Sequence, residues 1–172
     1  SNGINYSDSF FNSFTECEDA CSEEISCDDG EIEIEGMYFN DGAIISTSIC
    51  FNSQDIAYLQ EMIDNSIESG VGDDCDENDD YCGSPNPYMD DEDSWFWKTI
   101  DGETYLLANG NGIVEPLELG LQEWVNGRLT SIMCGAYIYC QLSGEIPEIQ
   151  EDQLNSVEVF RFEYNDLSGY VP

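Results

Sequence analysis

The sequence contains no histidine, one lysine (Lys98) and two arginines (Arg128 and Arg161), against 38 Asp plus Glu, for a formal net charge of -35. Without histidine, and with one lysine, the Ser-His, Cys-His and Ser-Lys systems are missing or nearly so, since each needs a base to take the nucleophile's proton. Carboxylate pairs remain. A glycosidase, however, needs two carboxyls held across a cleft with one pKa raised, and none of the 38 acids is singled out by its context. The expectation is a non-enzymatic protein, with a carboxylate-based hydrolase as the least favoured alternative. The shortage of cations also excludes nucleic acid and anionic membrane surfaces, because phosphate is repelled and no basic patch can release counterions. No membrane span, signal peptide or Cys-x-x-Cys pair is visible.

What is present is enough for a core. Hydrophobic residues make up 41% of the 172 and aromatics 12%, so the chain is not a disordered acidic tail. So high a negative charge self-repels at low salt and suits saline surroundings rich in divalent ions. The eight cysteines (Cys17, Cys21, Cys27, Cys50, Cys75, Cys82, Cys134 and Cys140) are even in number and read as disulfides formed outside the cell, in preference to zinc ligands. Cys134 with Cys140 is the best local pair, and Cys75 and Cys82 bracket a small loop. The localisation expected is secreted, extracellular or cell-surface.

Three stretches follow from the patterning: residues 1–50, 51–127 and 128–172. In the first, Phe10, Phe11 and Phe14 share a helical face ahead of three cysteines. Glu31-Ile32-Glu33-Ile34-Glu35 then alternates as a strand with one wet face, and Asn40-Asp41-Gly42 signals a hairpin into the β-branched run ending at Cys50. The second opens with a helix capped at Asn52 or Ser53, with Ile56, Leu59, Ile63 and Ile67 on one face and Gly70 as its stop. Ten carboxylates crowd residues 73–93. Asp76, Asp79 and Asp80 among them are hard oxygen ligands of the kind calcium takes, although a solvated loop accounts for the same run. A further helix is expected from Pro116, with Leu117, Leu121 and Trp124 on one face and Asn126-Gly127 at its end.

The turn before that helix, Asn109-Gly110-Asn111-Gly112-Ile113-Val114-Glu115-Pro116-Leu117-Glu118, resembles the second half of an EF-hand or dockerin calcium loop. The resemblance implies calcium as cofactor, with Asn109, Asn111, Ile113, Glu115 and Glu118 as ligands and Gly112 at the sharp turn. Loop position one falls on Leu107, where such loops carry Asp. A Gly-rich turn with no ion is the competing reading.

Leu142-Ser143-Gly144-Glu145-Ile146-Pro147 returns 25 residues later as Leu167-Ser168-Gly169-Tyr170-Val171-Pro172. Before the second copy, Leu154, Val157, Phe160, Phe162, Asn165 and Leu167 keep the spacing of a leucine-rich repeat. Leu129, Ile132, Gly135, Tyr137, Cys140 and Leu142 keep it before the first, with Gly135 in an apolar place. From Cys50 onward the chain resembles secreted bacterial leucine-rich-repeat proteins of marine lineages, whose EF-like helical cap covers the first coil. That resemblance implies an α+β fold: short solenoid coils, with strands at residues 133–137 and 158–162, behind a disulfide-containing helical cap and a small antiparallel sheet. It also implies a structural or interaction role. With no polar capping repeat before Pro172, either the chain is a fragment of a longer repeat protein or the open end bearing Phe160 and Phe162 stacks on another copy, with Phe10, Phe11, Phe14 and the small sheet of residues 31–49 as the partner surface. Such head-to-tail stacking would give filaments. Another extracellular protein, or a glycan bound in a calcium-dependent way, is the alternative partner.

Overall fold

The computed structural model describes residues 27–40, 43–71, 83–91, 94, 96–135 and 138–169. The alternating segment forms β1 (Glu31–Asn40), which folds back on β2 (Ala43–Asn52) as a hairpin registered from Glu31 opposite Asn52 to Asn40 opposite Ala43. A disulfide between Cys27 and Cys50 ties the lead-in of β1 to β2. α1 (Ser53–Glu68) starts at once, because the Asn52 side chain accepts the N–H groups of Gln54 and Asp55 (3.1 and 3.2 Å) that the first turn leaves without partners. Ile56, Leu59 and Ile63 face the core, joined by Tyr58 and Met62. Ile67 is exposed, contrary to the expected face. The last turn is held instead by hydroxyls: Ser66 to Ser84 (2.8 Å), Ser84 to Ser143 (2.5 Å) and Ser143 to Ser69 (2.6 Å).

β1 and β2 continue into one mixed sheet with β3 (Lys98–Ile100), β4 (Glu103–Leu106), β5 (Leu121–Val125), β6 (Arg128–Met133) and β8 (Val159–Arg161), in the order β2-β1-β4-β3-β5-β6-β8. β7 (Ser143–Glu145) and β9 (Asp166–Ser168) make a separate parallel pair. α1 packs on β7 and β2. One hydrophobic cluster runs through Phe51, Leu59, Met89, Leu119, Trp124, Leu129, Ile132 and Leu142. Phe51 meets Trp124 edge-on at 4.9 Å, and the Trp124 indole N–H donates to Gln122 (2.9 Å).

The helix expected after Pro116 does not form. Gly120 adopts φ +57, and Leu121–Val125 is a strand, pairing with β3 in parallel and β6 in antiparallel with Gln122 and Trp124 buried. Asn126 and Gly127, both at positive φ, make a tight turn between β5 and β6, so the dipeptide joins two strands of a hairpin and does not end a helix.

The α+β leucine-rich-repeat solenoid is likewise overturned. The described residues are mostly β with one α-helix, and β8 closes a mixed sheet rather than continuing a coil. Stacked copies would pair positions 25 apart. Instead β6 meets β8 with Ser131 opposite Val159, a separation of 28, and β7 meets β9 with Ser143 opposite Asp166, a separation of 23. Residues 134–142 separate the paired stretches of the first copy but only residues 162–165 those of the second, and a disulfide joins Cys134 to Cys140 within the longer connection. The first strand accordingly ends at Met133, where the repeat spacing would begin it. The Asn165 side chain bridges the copies, donating to Cys134 O (2.6 Å) and Phe162 O (3.0 Å) and accepting from Leu142 N–H (2.9 Å).

Candidate functional site

The Asn109–Glu118 stretch is a turn built almost wholly from its own polar groups. Asn109 Oδ1 accepts the N–H of Asn111 (3.0 Å), and Asn111 Oδ1 accepts that of Ile113 (2.8 Å). The Glu118 carboxylate accepts from Asn109 N–H (3.1 Å) and Glu115 N–H (2.8 Å), clasping both ends of the turn. The Asn109 amide donates to Glu115 (2.7 Å). The five expected ligand residues therefore do come together in one turn, with Glu118 buried and Asn109, Asn111, Ile113 and Glu115 exposed.

A residue that the sequence did not single out completes it. Asp90, at the end of the short 3-10 turn Pro87–Asp90, is buried, and its carboxylate accepts the N–H groups of Asn111 (3.2 Å) and Gly112 (2.6 Å). Its backbone oxygen also receives Gly110 N–H (2.8 Å). Asp90 thus brings a carboxylate to a loop whose own first position holds Leu107. Nothing in the run Asp90-Asp91-Glu92-Asp93 distinguishes it from its neighbours.

Below the turn lies Lys98, fully buried in β3, whose ammonium has three carbonyl acceptors: Phe96 (2.6 Å), Glu118 (3.1 Å) and Gly120 (2.6 Å). Burial lowers its pKa to about 7, against the opposing pull of the Glu118 charge. Burial likewise raises the Glu118 carboxyl to about 7; its N–H partners act the other way, and the charges of Asp90 and Glu115 add to the rise.

The oxygens that would hold calcium are largely turned to backbone N–H groups. Among the described residues, the group of three potential ligands close enough to share an ion is Cys27, Glu31 and Cys50, whose sulfurs are joined in a disulfide. Asp76, Asp79 and Asp80, Cys17, Cys21, Cys75 and Cys82, and Phe10, Phe11 and Phe14 lie outside the described residues. The rings of Phe160 and Phe162 meet at a tilt, 4.5 Å between centroids, and are half-buried, Phe160 also meeting Tyr58.

Comparison with known proteins brings no family to this geometry. No family model, curated protein or solved structure matches the chain. The reading of the site therefore rests on its own chemistry.

Charge dominates that chemistry. All three Lys and Arg side chains are paired within the chain: Lys98 with carbonyls, Arg128 with Asp55 (2.7 Å) and the Asp152 carbonyl (2.8 Å), and Arg161 with Glu163. No helix among the described residues is long and apolar enough to cross a membrane.

Proposed function

We propose that this is a non-enzymatic, secreted interaction protein that associates with copies of itself, or with another extracellular protein, once cations offset its charge. The observation that carries the reading is the state of β8. Among the described residues it is an outer strand of the sheet, with Val159 exposed, the Phe160–Phe162 pair half-covered and Tyr164 exposed beyond it. An outer strand with apolar side chains is a template for pairing with another chain, and a charge of -35 delays that pairing until it is screened. The two disulfides among the described residues suit an oxidising, extracellular setting. Val159→Glu tests the reading, since the residue is exposed on the outer strand, with circular dichroism checking that the variant is folded. Light scattering in calcium-containing brine is expected to find assemblies of the parent chain and monomers of the variant. Equal assembly of both would remove β8 from the account.

Calcium-dependent recognition is the second reading, favoured by Asp90. Asp90, Glu115 and Glu118 concentrate negative charge around one turn, which a hard cation would neutralise by drawing carboxylate oxygens away from N–H groups. Calorimetric titration with calcium is expected to give a site that Asp90→Asn weakens. Heats that are identical for both proteins would leave charge screening alone.

A further inference from the structure

Beside the turn is a cavity of about 280 Å³ with two kinds of wall. Ile34 of β1, Ile56 of α1, and Leu107 and Leu117 give it apolar lining, and Glu115 and Glu118 give it carboxylates. We propose that this cavity binds a small organic cation, a primary amine carrying a short apolar body.

The class follows from the lining. An apolar body is needed to cover the aliphatic walls, and a cavity just below the usual size of ligand sites limits its size. The charged end must be positive, because both ionisable lining groups are carboxylates. No lysine or arginine side chain is hydrogen-bonded to either carboxylate: the Lys98 ammonium, though close enough to feel the Glu118 charge, donates to the carbonyls of Phe96, Glu118 and Gly120, and Arg128 and Arg161 pair with Asp55 and Glu163. Glu118 uses one acceptor site on each oxygen for the N–H groups of Asn109 and Glu115, and a carboxylate offers about four in all. An ammonium therefore adds to this arrangement without dismantling the turn. A neutral molecule of the same shape would gain the apolar contact alone, and an anion would be repelled. This site is independent of β8 and of the proposed association, so either can fail without the other.

The test uses the intact disulfide-bonded chain and three probes of one shape: phenethylamine, phenethyl alcohol and phenylpropionate. Calorimetry, or chemical shifts of the Ile34, Ile56 and Leu117 methyls, is expected to show binding of the amine. The alcohol should bind about tenfold or more weakly, as for loss of a charge-assisted contact, and the anion should not bind. Glu118→Gln should bring the amine down to the affinity of the alcohol, with an unchanged circular dichroism spectrum certifying the fold. If that variant unfolds, the three-probe series on the parent chain decides alone. Equal binding of amine and alcohol would overturn the proposal, as would shifts confined to residues outside the cavity. Calcium is added in a separate arm. Competition with the amine places both cations at Glu118 and supports the proposal, whereas amine binding that calcium leaves untouched, and that Glu118→Gln also leaves untouched, contradicts it.

Discussion

Asp55 shows how much of this fold hangs on single polar residues. It is fully buried in the first turn of α1, and its carboxylate accepts from Arg128 Nε and Nη2 (2.7 and 2.9 Å) and from the N–H groups of Leu129 (3.2 Å) and Leu154 (2.7 Å). One side chain thus binds the helix to β6 and to the start of the second repeat copy. Asp55→Ala removes the acceptor but leaves the guanidinium and two buried N–H groups behind, so denaturant melts are expected to lose about 3–5 kcal/mol. A loss under about 1 kcal/mol, the worth of an exposed pair, would show that Arg128 finds water instead. Glu118 carries the clearest pH dependence. Its folded carboxyl titrates near 7 against an ordinary 4.5, so the folded chain keeps a proton that the unfolded chain gives up between those values. That contribution is fully present below about pH 4.5 and is lost as pH rises to about 7. Lys98 slopes the other way above pH 7, stability rising up to its ordinary 10.5. Subtracting the melts of Glu118→Gln from those of the parent isolates the carboxyl. The parent's relative stability should fall from pH 4.5 to 7, and a flat difference would mean that Glu118 titrates normally.

At the scale of elements, local chemistry was legible and long-range pairing was not. Alternation in residues 31–35, the Asn52 cap and the 3.6-residue spacing of Ile56, Leu59 and Ile63 each act within a few positions, and each gave the element it predicts. Leu121, Trp124 and Val125 fit a helix or a strand equally well over so short a run, and the sheet decided through Gln122, whose amide donates to Pro116 O (2.7 Å) and Leu119 O (2.6 Å) and fixes the turn before β5. Asn126-Gly127 suits a helix end as well as a hairpin turn, and only the strands on either side choose between them. The repeat misled because equal spacing does not require equal stacking. Asp90 was hidden for a different reason, since its role depends on meeting a loop some twenty residues away. Gly135, an anomaly in the repeat, has a local cause: a Cβ there would run into the Glu163 carboxyl, which pairs with Arg161. Gly144 is needed similarly, because a Cβ would collide with Asn65 O of α1. Gly135→Ala is therefore expected to cost no more than about 1 kcal/mol, the worth of the exposed Arg161–Glu163 pair given up as the flexible Glu163 carboxyl swings aside, and adding Glu163→Ala should cost little further. Thermal melts of the two proteins check this; a loss of several kcal/mol in Gly135→Ala would place the strain in the backbone and not at Glu163.

At the scale of the whole chain, a formal charge of -35 accompanies a mixed sheet that, among the described residues, ends on a short, partly apolar strand. Under the proposed association, repulsion would keep copies apart and the outer strand would draw them together once the charge is neutralised. Divalent ions differ from sodium here, because they coordinate carboxylates as well as screening them. Sedimentation velocity of the intact chain in calcium and in sodium, at matched ionic strength, separates these effects. Monomers are expected in dilute sodium buffer, and species that grow with protein concentration in millimolar calcium. A single monomeric boundary at every concentration in both salts would contradict the proposed association.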